Sequence, residues 1–69
     1  MSFKLTDKGE DAAINPASQQ GLDLKVVGFM YLMKSPVEIE EIMDETNMGD
    51  EAAVNVMKRL IKQGYVEEL

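Results

Sequence analysis

The chain has 69 residues, 45% of them hydrophobic and 29% charged, a composition that describes one small globular domain with a modest core and excludes a second. Thirteen Asp and Glu against seven Lys and Arg give a net charge of −6, which repels nucleic acid and anionic membranes at long range. The absence of both Cys and His excludes disulfides, thiolate and imidazole metal sites, and Cys or His nucleophiles, so neither an enzyme nor a cofactor is expected.

In chain order, Phe3, Lys4, Leu5 and Thr6 make a strand candidate, stopped by a turn at Asp7, Lys8 and Gly9. Residues 10–21 read as a loop or short helix, because Pro16 pushes Asn15 out of the helical region and Gly21 loosens the chain. Over residues 22–33, the apolar side chains Leu22, Val26, Phe29, Met30 and Met33 recur at the spacing of one helix face and predict helix one. Its other side is apolar as well. Leu24 and Tyr31 project away from that face and Val27 sits at its edge, so either the N-terminal segment or a second subunit must cover them. This longest apolar stretch is interrupted by Asp23, Lys25 and Gly28 and is shorter than the roughly 20 residues a spanning helix needs, and residues 1–6 resemble no secretory leader. No membrane role is expected, and the cytoplasm is the expected compartment.

Pro36 stops helix one. The run over residues 37–46 then places Ile39, Ile42, Met43 and Thr46 on one side and Glu38, Glu40, Glu41, Asp44 and Glu45 on the rest, predicting a short amphipathic helix two. Acids near its start complement the helix dipole. A tight turn follows, in which Asn47 accepts a left-handed conformation and Met48 returns an apolar side chain to the core. Over residues 50–63, Ala53, Val56, Met57 and Leu60 share one face, Ile61 its edge, and Glu51, Asn55, Lys58 and Lys62 the other, predicting helix three with Gly64 as its terminator. Residues 65–69 alternate apolar and polar as a half-buried strand does, and pairing with the strand at Phe3 and a third rung at Val37 would give a small antiparallel sheet. The expected fold is therefore mainly α with a small antiparallel β-sheet.

The order helix, short extended piece, helix, tight turn, helix, Gly, strand over residues 22–69 resembles a winged helix-turn-helix domain. Ile42, Met48, Ala53 and Val56 stand at its usual apolar positions, Asn47 at the turn position commonly held by Gly, and Met43 where a small residue is usual. Residues 60–66, with Leu60, Gly64, Tyr65 and Val66, are similar to the signature that closes the third helix of MarR-like and ArsR-like regulators. The wing hairpin normally following that helix has no counterpart after residue 69, whereas Leu5, Thr6 and Gly9 resemble the end of such a wing ahead of helix one. The resemblance thus implies a single winged helix-like three-helix domain over residues 1–69, with the N-terminal strand in the place of the missing wing strand.

The same resemblance implies a small DNA-binding transcriptional regulator whose third helix enters the major groove, with Gly49, Asn55, Lys58, Arg59 and Lys62 as the contact set and a homodimer through helix one. Electrostatics favours a second reading. Residues 37–48 carry −5 of the −6 charge, and Asp50 and Glu51 lie where helix three would first meet the groove. On that reading the domain is an acidic protein-interaction module, whose partner surface comprises Leu24, Val27, Tyr31, Glu40 and Glu41. Neighbouring acid pairs such as Glu40 and Glu41 diverge on a helix and cannot converge on one bond, and no calcium-loop or phosphate-loop spacing is present.

Overall fold

In the computed structural model, which describes residues 2–15, 21–34 and 36–69, the elements run β1 (Ser2–Leu5), α1 (Asp7–Ile14), α2 (Gly21–Met33), β2 (Val37–Glu38), α3 (Ile39–Thr46), α4 (Asp50–Lys62) and β3 (Val66–Glu68). Helices one, two and three of the sequence reading are α2, α3 and α4. Of the segment expected as a loop or short helix, residues 16–20 lie outside the described residues, as does the side chain of Leu22.

The three strands form one antiparallel sheet in the order β2-β1-β3, so the N-terminal strand lies in the middle. Phe3 is paired with Val37 on one side and Glu68 on the other, while Lys4 faces Glu67 and Leu5 faces Val66. The alternation of the sequence explains this register. Phe3, Val37 and Val66 all turn inward and are buried, whereas Lys4 and Glu67 stay outside and form an ion pair at 3.5 Å. A slip by one residue would exchange those two sets.

The turn expected at Asp7, Lys8 and Gly9 is instead the first turn of α1. Thr6 supplies the reason: it sits in extended conformation before the helix, and its Oγ1 accepts the Gly9 backbone N–H at 3.1 Å. Asp7 and Glu10 in that first turn complement the helix dipole. Gly9 is there for clearance rather than for a turn, since a Cβ on it would lie 2.0 Å from the Tyr65 carbonyl oxygen.

Val26, Val27 and Met30 of α2, Ile42 of α3, and Val56, Met57 and Leu60 of α4 pack against Phe3, Val37 and Val66 of the sheet in one core. Full burial of each large member, such as Ile42 or Leu60, contributes roughly 1.5–3 kcal/mol. Val27, expected at the edge of helix one and open to a partner, is fully buried, because it joins Val26 and Met30 in the core formed with the other helices and the sheet. Met33 differs in the opposite sense. It was expected inside, but at the last position of α2 it is 43% exposed.

Two left-handed residues shape the chain around α3 and α4. Asn47 closes α3 at φ 58° and ψ 29°, a conformation its short polar side chain tolerates. Gly64 ends α4 at φ 86°, with its N–H donating to the Ile61 carbonyl and the Tyr65 N–H to the Leu60 carbonyl, both at 3.0 Å. That pair of bonds satisfies the last carbonyls of α4 and aims the chain into β3.

Candidate nucleic-acid interface

The α3-turn-α4 unit is assembled from the periodicities already described. Ile42 and Thr46 of α3 and Ala53, Val56, Met57 and Leu60 of α4 are buried, with Met48 from the turn half-buried against the same core. Thr46 is accommodated because its hydroxyl donates to the Ile42 carbonyl at 2.6 Å, leaving no buried side-chain polar atom unpaired among the described residues. Burying that face turns the opposite one outward. Glu51, Asn55, Lys58 and Lys62 are all exposed along it.

At the start of α4, Gly49 is an exposed N-cap in extended conformation, and its carbonyl accepts the Ala53 N–H at 3.0 Å. Among the described residues no side chain caps this end, so the first N–H groups of α4 stay open to solvent, with Asp50 and Glu51 beside them. Lys58 and Lys62 take part in no ion pair among the described residues. Their charges are available.

Arg59, expected with them in the contact set, is placed differently. Its guanidinium forks onto Asp23 of α2, with Nη2 at 2.6 Å from Oδ1 and Nε at 3.2 Å from Oδ2. The hydrogen bonds to Asp23, followed by its charge, push the Arg59 pKa further up, so the guanidinium stays protonated while the pair is neutral overall. It fastens α4 to α2 instead of reaching outward.

The partner-surface candidates also divide. Leu24 is half-buried, Tyr31 is 36% exposed and Glu40 is exposed, whereas Val27 lies in the core. Glu41 is half-buried, and its Oε1 accepts the Glu38 backbone N–H at 3.1 Å, so this carboxylate caps α3 rather than facing a partner. The Glu38 carboxylate in turn accepts the Ser2 hydroxyl across the sheet edge.

Two surfaces escaped the sequence reading. Leu32 is 78% exposed at the centre of the outward face of α2, beside a Gly28 that has no described residue within 4 Å of where a Cβ would lie. A shallow groove also runs between β1, α1 and the end of α2, lined by Ile14, Tyr31 and Leu69 among charged Lys4, Lys34 and Glu67. Leu32 could have been found from the seven-residue span that places it opposite Val26 and Met30. The groove could not, because it depends on where α1 docks.

No group of three acidic residues able to hold a metal occurs among the described residues, and no described helix is long and apolar enough to cross a membrane. No family model, curated protein or solved structure matches the chain.

Proposed function

We propose that this chain is a winged helix-like DNA-binding protein of the cytoplasm, acting in transcription regulation, with α4 as its reading helix. The observation that carries the proposal is the outward face of α4, where Asn55, Lys58 and Lys62 are exposed and the two lysines lack ion partners among the described residues. Asn55 has the donor and acceptor pair that adenine offers in the major groove, and the lysines suit phosphate or guanine. Gly49 leaves the first N–H groups of α4 accessible to a phosphate oxygen. The sheet order supports the fold resemblance. On that resemblance the N-terminal strand stands in for the missing wing strand, and here β1 pairs with β3.

With Arg59 held by Asp23, two cations remain on this face, so the logarithm of the binding constant should fall against log salt with a slope of about −1.8 per chain, roughly tenfold between about 50 and 200 mM. Amide chemical-shift titration with a mixed-sequence duplex at low and physiological salt tests the reading. Shifts centred on Asn55, Lys58 and Lys62 that fade with salt are expected, and Lys58→Ala with Lys62→Ala should remove them. No shifts at low salt would end the proposal.

A second reading is favoured by the exposed carboxylates of Glu40, Asp44 and Glu45 on α3. On it the domain is an acidic interaction module that binds a basic protein without DNA. Glu40→Lys would then abolish partner binding, whereas on the leading reading it would strengthen nonspecific DNA binding.

A further inference from the structure

Gly28 sits in the middle of α2, faces away from the core and, among the described residues, contacts nothing that would exclude a side chain. Glycine at such a position weakens a helix relative to alanine, and neither a turn nor a close approach within the chain requires it. The residues around it are chemically symmetric. Leu24 and Leu32 lie four positions before and after Gly28, Lys25 and Tyr31 three, Val26 and Met30 two, and Val27 and Phe29 one. Val26, Val27 and Met30 are turned into the core, so the outward members of this palindrome are Leu24, Lys25, Gly28, Tyr31 and Leu32.

We propose that this face binds a second copy of the chain, with the two α2 helices antiparallel about a two-fold axis through Gly28. The axis places Gly28 on its own counterpart, where the missing side chains let the helix backbones approach closely. It also brings Leu24 of each copy to the other's Leu32, and the Lys25 ammonium to the other's Tyr31 ring, an attractive pairing of cation and π face. Charge complementarity extends beyond the stripe. Glu45 of α3 lines the same shallow depression as Leu24, Lys25, Gly28, Tyr31 and Leu32, while exposed Lys34 follows the C-terminal end of α2. The antiparallel arrangement sets each Lys34 towards the opposite copy's Glu45, whereas a parallel one would set like charges together. This inference stands independently of DNA binding by α4, whose outward face is a different surface.

Sedimentation equilibrium of the full chain, without nucleic acid, is the test. At sub-millimolar concentration the mass should be twice 7.7 kDa, dissociating on dilution. Leu32→Glu should return it to 7.7 kDa with its far-ultraviolet spectrum unchanged, since Leu32 lies outside the core. Gly28→Ala separates the alternatives by sign. On an unpartnered face it raises the melting temperature and leaves the mass alone, whereas in the proposed contact it raises the dimer dissociation constant by about tenfold or more. Lys34→Glu and Glu45→Lys should each weaken the dimer, and the double exchange should restore it. A wild-type mass of 7.7 kDa throughout overturns the proposal. A dimer unmoved by both Leu32→Glu and Gly28→Ala overturns it equally, and failure of the charge exchange to rescue removes the antiparallel arrangement.

Discussion

The two ends of α4 are held in opposite ways. At its C-terminal end, Gly64 and Tyr65 donate back to Ile61 and Leu60, the Lys8 ammonium donates to the Gln63 carbonyl at 2.8 Å, and the Thr6 hydroxyl donates to the Gly64 carbonyl at 2.5 Å. The Thr6 backbone N–H reaches the Tyr65 carbonyl at 3.0 Å, and Lys8 lies 4.8 Å over the Tyr65 ring. At the N-terminal end there is only Gly49, with no side-chain cap. One end is therefore anchored by residues almost sixty positions away in sequence, while the other is positioned by burial of Ala53, Val56 and Met57 and leaves its polar groups to solvent. The contrast teaches where this fold tolerates change. A helix clamped at one end by β1 and α1 can present its opposite end and outward face without further support, which is the arrangement the proposed function uses.

The contrast can be broken most strongly from inside. Leu60→Ala removes a fully buried side chain just where the clamp begins and should cost about 4 kcal/mol in urea unfolding; a loss under about 1 kcal/mol would mean the site collapses without a cavity. Gly9→Ala comes next, at about 2–3 kcal/mol, because its Cβ would meet the Tyr65 carbonyl oxygen at 2.0 Å and force α1 away from Tyr65. A neutral result would show that α1 is not seated against Tyr65. Thr6→Ala should cost about 1 kcal/mol through the lost cap of α1, with faster amide exchange at Gly9. Unchanged exchange there would contradict the capping bond. The smallest effect belongs to the open end. Gly49→Ser supplies a side-chain cap where space is free and should stabilise by a few tenths of a kcal/mol, in thermal melting, so a measurable loss would mean that Gly49 has a contact it lacks here.

Much of the fold was legible because its signals are local. The apolar spacing of Val26 and Met30, of Ile42 and Thr46, and of Ala53, Val56, Met57 and Leu60 identifies buried helix faces without reference to partners, and Asn47 and Gly64 carry the backbone freedom their turns need. The alternation through Phe3 and Val66, with Val37 as a short rung, even anticipated the sheet. Asp7, Lys8 and Gly9 misled, because their turn chemistry and the first turn of a capped helix use the same residue types. What distinguishes the two is the Tyr65 carbonyl against Gly9, a contact between the ends of the chain.

The candidate site was legible in outline only. Helical geometry alone placed Asn55, Lys58 and Lys62 on the outward face of α4. It could not show that Arg59 is taken by Asp23, that Glu41 caps its own helix, or that Val27 is enclosed in the core. Each outcome depends on a neighbour from another element, and side-chain periodicity is silent about neighbours.

The sequence by itself determined α2, α3 and α4, most of their buried faces, the turn at Asn47, the stop at Gly64 and the net acidity, because these follow from steric and solvation preferences acting over a few residues. The tertiary structure decided which strand lies in the middle of the sheet, which charges cancel one another and which apolar side chains of α2 remain outside. Those properties arise when segments far apart in the chain compete for the same space, and only the packed molecule resolves that competition.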